Sequence, residues 1–428
     1  MSKSNPKHTP KTWYRLDLSA IVYPTLQRRD FSSVYRLSVL LKDPVQPDIL
    51  QQAVDIAMKR FPTYHSAMRK GFFWRYLEPN TRPGPFVKPD IRNFCMPMPF
   101  KSNNRYLVRF YWYDRRISLE AHHSLGDGTD GMYLLQTVTA VYLRLLGHEI
   151  SNGGFVLDVN ETPDPEDAYM RYANARVCPP RPAEKTYRVR GTQEPFYTLN
   201  VIDGIMSVSA VQKVAKQYQA SITEYLNAVL LYSLLQKQEH DFHLRLRPVR
   251  IAMPVNLRRF FPSKTLRNFI TMVYPSIDPR LGDYTFEEIV TQVHHYMRYY
   301  INSKFLRGDI TTNASTQRNP LIRIVPLFLK DFVVRQFYQR VQDKNSSAGL
   351  TNMGAIRVPD DMKPYLERFD IYMGIPYSQR TNCAIVSFED TLTVNFASCI
   401  IEADVERRFF QKLVEDGIPV TIESNREL

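Results

Sequence analysis

No stretch of the 428 residues approaches the roughly 18 consecutive apolar side chains that would read as a membrane span. The basic start, Met1 to Lys11, is not followed by the roughly 7–15-residue apolar core of a secretory signal, so none is expected. Cysteine is scarce. Cys95, Cys178, Cys383 and Cys399 form neither a CxxC pair nor a disulfide scaffold, which fits a reducing, cytoplasmic setting. Low-complexity tracts and short-period repeats are also missing. The formal charge is +13, but it is spread along the chain rather than gathered into a block, and nucleic acid is not an expected partner. The densest basic run, Arg245-Leu246-Arg247-Pro248-Val249-Arg250, alternates with apolar residues as a half-exposed strand would. A contact to cofactor phosphates is the alternative for that run.

What is present is the composition of a soluble globular protein, 44% hydrophobic and 23% charged, long enough for two or more cores. Pro47 to Arg60 has helical spacing of Ile49, Leu50, Ala53, Val54 and Ala57. Tyr106 to Tyr113 and Arg116 to His123 read as paired strands around an Asp114-Arg115 turn. A helix from about Asp130 to Leu146 follows, with Gly147 at its C-terminal cap. Residues 151–195 are rich in Pro, Gly and charge, stiffest at Cys178-Pro179-Pro180-Arg181-Pro182, and read as a crossover between residues 1–150 and residues 196–428. The second part opens with a strand near Ile205 to Val208. Capping-box sequences then stand at Ser209–Gln212 and Ser221–Glu224. Strands are expected at Val249–Val255, Cys383–Phe388 and Thr391–Ser398, and helices at Phe286–Ile301 and Leu321–Val341. The whole predicts an α/β protein of two layered halves.

The stretch His122-His123-Ser124-Leu125-Gly126-Asp127-Gly128 carries the chemistry. Strand parity places Ile117, Leu119, Ala121 and His123 on the interior face, and Ser118, Glu120 and His122 on a polar one. A buried imidazole stays neutral near pH 7, the form a general base needs. His123 is therefore the candidate base and His122 a structural neighbour. Gly126 and Gly128 would allow a sharp turn at positive φ, so Asp127 is read as the anchor of that turn, in need of an arginine or backbone donors. His294-His295 lies in a helical pattern without an Asp-Gly after it and is read as structural.

Gly126-Asp-Gly128-Thr-Asp-Gly131 also matches GxGxxG, yet Asp127 and Asp130 would set two carboxylates beside a pyrophosphate. A metal site is disfavoured because adjacent strand residues point to opposite faces, and no zinc motif supports one. Acyl transfer fits better. The HHxxxDG pattern resembles the signature of the chloramphenicol acetyltransferase-like acyltransferases, a family that includes condensation domains, wax ester synthases, polyketide-associated acyltransferases and alcohol acetyltransferases. Pro254-Val255-Asn256-Leu257-Arg258 resembles the family's Pro-Val-x-x-Arg segment, and Thr351-Asn352-Met353-Gly354 its Ser-Asn-x-Gly segment. Arg60-Phe61-Pro62 and Gly71-Phe72-Phe73-Trp74 are similar to stretches of alcohol acetyltransferase-like members.

The resemblance implies two similar halves, each a mixed sheet with helices, enclosing a channel at their interface. It implies that His123 takes a proton from an acceptor as the acceptor attacks a thioester, that Arg258 pairs with Asp127, and that Gly128 and His122 support the site. Asn352 is a candidate oxyanion donor or a structural residue. No metal or permanently bound cofactor is required; acyl-CoA is the expected co-substrate, and the acceptor a small alcohol or a lipid-like molecule. The Asp-Phe-Gly-Trp-Gly segment of plant and condensation-type relatives is absent, with Asn395-Phe396-Ala397-Ser398 in the nearest place. No carrier-protein domain is expected from these 428 residues, so action on a free donor is expected over synthetase-type peptide bond formation. The alternatives are a carrier-protein donor, an amine acceptor, or a catalytically silent ligand-binding member. A monomer suffices for such chemistry. The aromatic-rich segment Leu321–Val341, with Arg323, Lys330, Arg335 and Arg340, is expected to pack its apolar side inward and expose a basic face, with membrane contact as the alternative.

Overall fold

The computed structural model describes residues 13–27, 32–161, 166–174, 184–195, 198–241, 245–340, 345–374 and 379–426. Met1 to Lys11, the Cys178–Pro182 run and Val341 lie outside the described residues.

Two mixed sheets with helices dominate. The first orders its strands Leu366–Met373, Val34–Leu41, Arg116–His122, Val108–Tyr113 and Val87–Pro89, antiparallel except for the last pairing. The second runs Ile270–Val273, Val249–Asn256, Ala348–Ala355, Thr381–Phe388, Thr391–Ser398, Asn200–Ser207 and Thr421–Ser424, with Ser276–Ile277 also paired to Val249–Asn256. A small sheet joins Tyr14–Arg15, Arg75–Pro79 and Ser66–Lys70. The architecture is thus α/β and two-lobed, with the lobes sharing a strand. Leu366–Met373, late in the chain, completes the first sheet through full antiparallel pairing with Val34–Leu41.

Each sheet buries a core against helices. Pro47–Ala57, which takes Pro at its first turn, and Gly128–Leu145 cover the first sheet. Ile222–His240, started by the reciprocal Ser221–Glu224 capping box, anchors the second core. Along Thr381–Phe388, Cys383 and Ile385 enter that second core while Ala384, Val386 and Phe388 enter the first. A strand flanked by two cores reads as a continuous apolar run instead of an alternating one.

Several boundaries differ from the sequence reading. The helix after Asn200–Ser207 begins at Val208, capped by Ser207, whose Oγ accepts from Ala210 N; Ser209 instead donates its N to Asp390 Oδ1 at 2.9 Å. The loop acid on the neighbouring turn takes over the role expected within Ser209–Gln212. Arg245 and Arg247 are exposed but precede the strand, which starts at Val249. The segment 321–341 is not one helix: Pro320–Arg323 and Leu327–Arg340 are separated by a break containing Pro326, whose missing N–H cannot continue the ladder. Its apolar side, moreover, faces solvent rather than the interior.

Candidate functional site

The strand Arg116–His122 delivers the histidine pair to the junction of the lobes. His122 N donates to Leu107 O and His123 N to Ser33 O, so the backbone is paired on both sides up to the turn. The two faces are apolar and polar as expected, but both are buried. Ser118, Glu120 and His122 are as buried as Ile117, Leu119 and Ala121. Arg36 explains the difference: it lies under the polar face and donates to Ser118 Oγ at 2.8 Å, pairs with Glu120 and Asp90, and covers the Phe94 ring. A buried polar face is tolerable only when such partners satisfy it.

His122 is enclosed there. Its Nδ1 accepts from Ser124 N at 3.2 Å and lies 2.7 Å from Ser124 Oγ, which puts the proton of the neutral ring on Nε2, beside Phe100. Burial, reinforced by His123, lowers its pKa to about 3.

His123 turns the other way, into a cavity of about 650 Å³ between the lobes. Its ring stacks on Tyr23 at 4.7 Å between centroids and meets Tyr35, tilted, at 4.7 Å. Nδ1 is buried, which leaves Nε2 as the nitrogen open to the cavity. Burial lowers the pKa of His123 to about 4, although the Asp127 charge, Asn268 and the Gly126 backbone oppose the shift. The ring is therefore neutral at pH 7. Asn268 fixes the backbone at this point, donating Nδ2 to His123 O at 3.0 Å and to Asp17 Oδ2 at 3.1 Å.

Asp127 is the N-cap of Gly128–Leu145, accepting from Thr129 N and Asp130 N in a capping box completed by Asp130 Oδ2 on Asp127 N. Its other oxygen accepts from Arg258 Nη1 at 2.9 Å and from Phe269 N at 2.9 Å. Arg258 also donates Nη2 to Asp130 Oδ1 at 2.8 Å and to Arg267 O, and Nε to Thr265 O. This arginine, from the second half of the chain, is fully occupied and closes the turn across the lobes. Burial would raise the pKa of Asp127, but Arg258 and the backbone donors outweigh it and hold the carboxyl below its usual range. For Asp130 burial wins and the pKa rises well above the usual range. The two carboxyls share one guanidinium, which offsets burial at Asp127 and not at Asp130.

The glycines of the turn act through space, not through φ. Neither Gly126 nor Gly128 has a positive φ, contrary to the expectation. A Cβ on Gly126 would come within 2.8 Å of Asp130 Oδ2 and 2.9 Å of Tyr64 Oη, and one on Gly128 within 3.1 Å of Met353 Sδ. The helix start that a GxGxxG site would use for phosphate is filled by the Asp127 carboxylate.

Asn352 lines the cavity with both ends of its carboxamide engaged: Nδ2 donates to Thr223 Oγ1 at 2.9 Å, and Oδ1 accepts from Gly354 N at 2.7 Å. Asn256 Nδ2 reaches Thr129 Oγ1 at 3.1 Å, tying the cavity wall to the motif helix. His294 and His295 lie apart from the motif on Phe286–Tyr300, with His294 Nδ1 3.3 Å from Glu224 Oε1. Tyr23, Tyr35, Asn268 and Asp130 were not singled out from the sequence. Only Asp130 left a usable sign there, the Asp-x-x-Asp spacing of a capping box.

Among the described residues, no group of three or more His, Cys, Asp or Glu could hold a metal ion, and no helix is long and apolar enough to cross a membrane.

No family profile and no curated protein matches the sequence. Solved structures do match. A trichothecene 15-O-acetyltransferase from Fusarium sporotrichioides aligns over 97% of this chain and 96% of its own, with TM-score 0.62 at 12% identity. A second protein of that organism, solved with coenzyme A and T-2, aligns over 97% and 100%, with TM-score 0.61 at 11% identity. The starter condensation domain of rhizomide synthetase, solved with C8-CoA, aligns over 94% of each chain, with TM-score 0.60 at 11% identity. Across nearly its whole length, this chain has the two-lobed fold that these acetyltransferases and condensation domains share.

Proposed function

We propose that the protein is an acyltransferase that moves an acyl group, in the simplest case acetyl, from a coenzyme A thioester to an alcohol hydroxyl. The observation that carries this reading is His123: a neutral imidazole, clamped by Tyr23 and Tyr35, with Nε2 open to the cavity between the lobes. Structural neighbours solved with coenzyme A and with C8-CoA support a thioester donor.

In the proposed step His123 Nε2 takes the hydroxyl proton as the acceptor oxygen bonds to the thioester carbonyl carbon. The tetrahedral intermediate collapses, the carbon–sulfur bond breaks, and the thiolate recovers the proton from the imidazolium. Acyl ester and free thiol leave, and no covalent enzyme intermediate forms. Base catalysis of this kind contributes about 10²–10⁴-fold. Asp127 and Arg258 stand behind the turn and act through position. Because both ends of Asn352 hold neighbouring groups, we assign it to the cavity wall and not to the oxyanion. We take residues 1–150 and 196–428 as the two halves of the chain joined by the 151–195 crossover, with Leu366–Met373 lent by the second half to the first lobe, and the protein as cytoplasmic.

The test is thiol release from acetyl-CoA against a panel of alcohols and amines, in wild type and His123→Ala. The reading requires turnover in the wild type and a loss of about 10²–10⁴-fold in the variant. A folded His123→Ala protein with full turnover would sink it. Preference for an acylated carrier protein, or for amines, would redirect it within the same chemistry.

A further inference from the structure

The helix Leu327–Arg340 is built with its apolar side out. Asp331 faces the protein and Arg335, one turn on, stands at the edge of the contact: Asp331 Oδ1 accepts from Arg75 Nη1 at 2.8 Å and from Thr25 Oγ1 at 3.0 Å, and the exposed Arg335 donates Nη2 to Thr25 O at 3.3 Å. The outer half of the helix carries Phe328, Phe332, Leu329, Val333 and Phe337, spread over about 180° of its circumference, with the three phenylalanines 67%, 63% and 55% exposed. A helix packed on a globular protein ordinarily buries its large apolar side chains. The apolar surface continues onto neighbouring segments. Leu321 and Ile324 are exposed in the turn before the helix, and Phe72 and Trp74 in the loop of the first lobe beside it. Leu327 N donates to Phe72 O at 2.8 Å and Lys330 Nζ to Phe73 O at 3.0 Å, which joins the two parts. Single exposed apolar residues are ordinary, but a patch spread over adjoining segments marks a contact surface.

Its position is as informative as its chemistry. Tyr338, on the same helix, lines the cavity together with Tyr23, the ring stacked on His123. The same helix therefore walls the cavity on one side and carries the patch on the other. Its rim is cationic: Arg323 and Arg335 are exposed, Lys330 is half-buried, and the Arg15 guanidinium sits 5.3 Å over the Trp74 ring.

We propose that this surface docks the protein on an anionic lipid bilayer, with Phe328, Phe332 and Phe337 entering the acyl boundary and the basic rim at the headgroups. Charge complementarity chooses the occupant. The chain carries +13, and a second copy placed symmetrically on this face would bring like charges together, whereas an anionic leaflet neutralises them. Docked this way, the helix that walls the cavity rests on the membrane. The inference stands on the surface and not on the acyl-transfer reading, since lipid binding is measured without turnover.

The experiment is flotation of the full chain with phosphatidylcholine vesicles, with and without phosphatidylserine. Wild type is expected to float with the phosphatidylserine vesicles and to be released by high salt. Phe332→Glu and Phe337→Glu should each reduce flotation about tenfold or more, while Leu281→Glu, at a 79% exposed site away from the patch, should leave it unchanged. Thermal melts identify any variant that fails to fold, and Phe332→Ser then replaces it. Wild type remaining unbound, patch variants floating as well as wild type, or Leu281→Glu losing as much would each overturn the proposal. So would a wild-type dimer that the patch variants convert to monomer without lipid, which would make the face a self-interface.

Discussion

The chain contains two His-His pairs, and the structure treats them oppositely. His122-His123 ends a strand that is buried on both faces, and the turn after it is locked by a carboxylate, an arginine from the other half of the chain and a helix cap. His294-His295 sits on the outer helix Phe286–Tyr300, where His295 is exposed and His294 reaches one glutamate. The dipeptide is the same. What differs is the cost of moving the ring: His123 is held by a stacked Tyr23, a tilted Tyr35 and a paired backbone, whereas a surface histidine chooses among rotamers. Chemistry follows from the constraint rather than from the residue type.

The sharpest way to break the comparison is to remove a ring from each pair. His123→Ala should lower turnover about 10²–10⁴-fold, and His294→Ala should leave it within about twofold, in keeping with a partly exposed site. Equal losses in acyl-transfer assays would mean that the two pairs are not different in kind. Next in size is Asp127→Asn, which strips Arg258 of one of its two carboxyl partners at a site where Asp127 is 2% exposed. Breaking a buried pair costs about 3–5 kcal/mol, and urea unfolding should show it. Gly126→Ala should follow, at about 1–3 kcal/mol for overpacking, because the new Cβ meets Asp130 and Tyr64. An unchanged urea midpoint would mean that the turn relaxes freely.

The smallest effect on turnover is an absence. With the His123 pKa near 4, turnover should show no acid limb near the ordinary histidine value of about 6.5. Stability behaves differently, and its sign is set by linkage. The unfolded chain binds protons at both histidines below about pH 6.5, while folded His123 and His122 resist until about 4 and about 3. Their contribution to stability is therefore lost as the pH falls through that window. A rate profile with a midpoint near 6.5 that is absent from His123→Gln would contradict the buried, neutral ring.

These tests bear on residues of unequal legibility. The HHxxxDG stretch, the Ser221–Glu224 cap and the strand carrying His123 can be read from sequence because spacing along one element decides them. The polar face of that same strand cannot. Ser118, Glu120 and His122 look solvent-facing until Arg36, far back in the chain, is known to lie beneath them. The glycine turn misleads for a related reason. Glycine signals positive φ by default, but here the constraint is the crowding of Asp130 and Tyr64, which only packing reveals. The segment 321–341 is rich in aromatic and apolar residues, and composition does not say which of them meet water.

By itself, then, the sequence determined the class of the fold, the parity that separates His123 from His122, and the need of Asp127 for a partner. These follow from local periodicity, from side-chain alternation and from the cost of burying a charge. Tertiary structure alone decided that Leu366–Met373 completes the sheet beside the motif strand, that Tyr23 and Tyr35 clamp the ring, that Asn268 and Asp130 share the work of the turn, and that a phenylalanine face is left open beside the cavity. Each of these is a contact between residues distant in the chain, and hydrophobic burial, which drives them together, is non-directional. Which surfaces meet is settled only when all of them are packed at once.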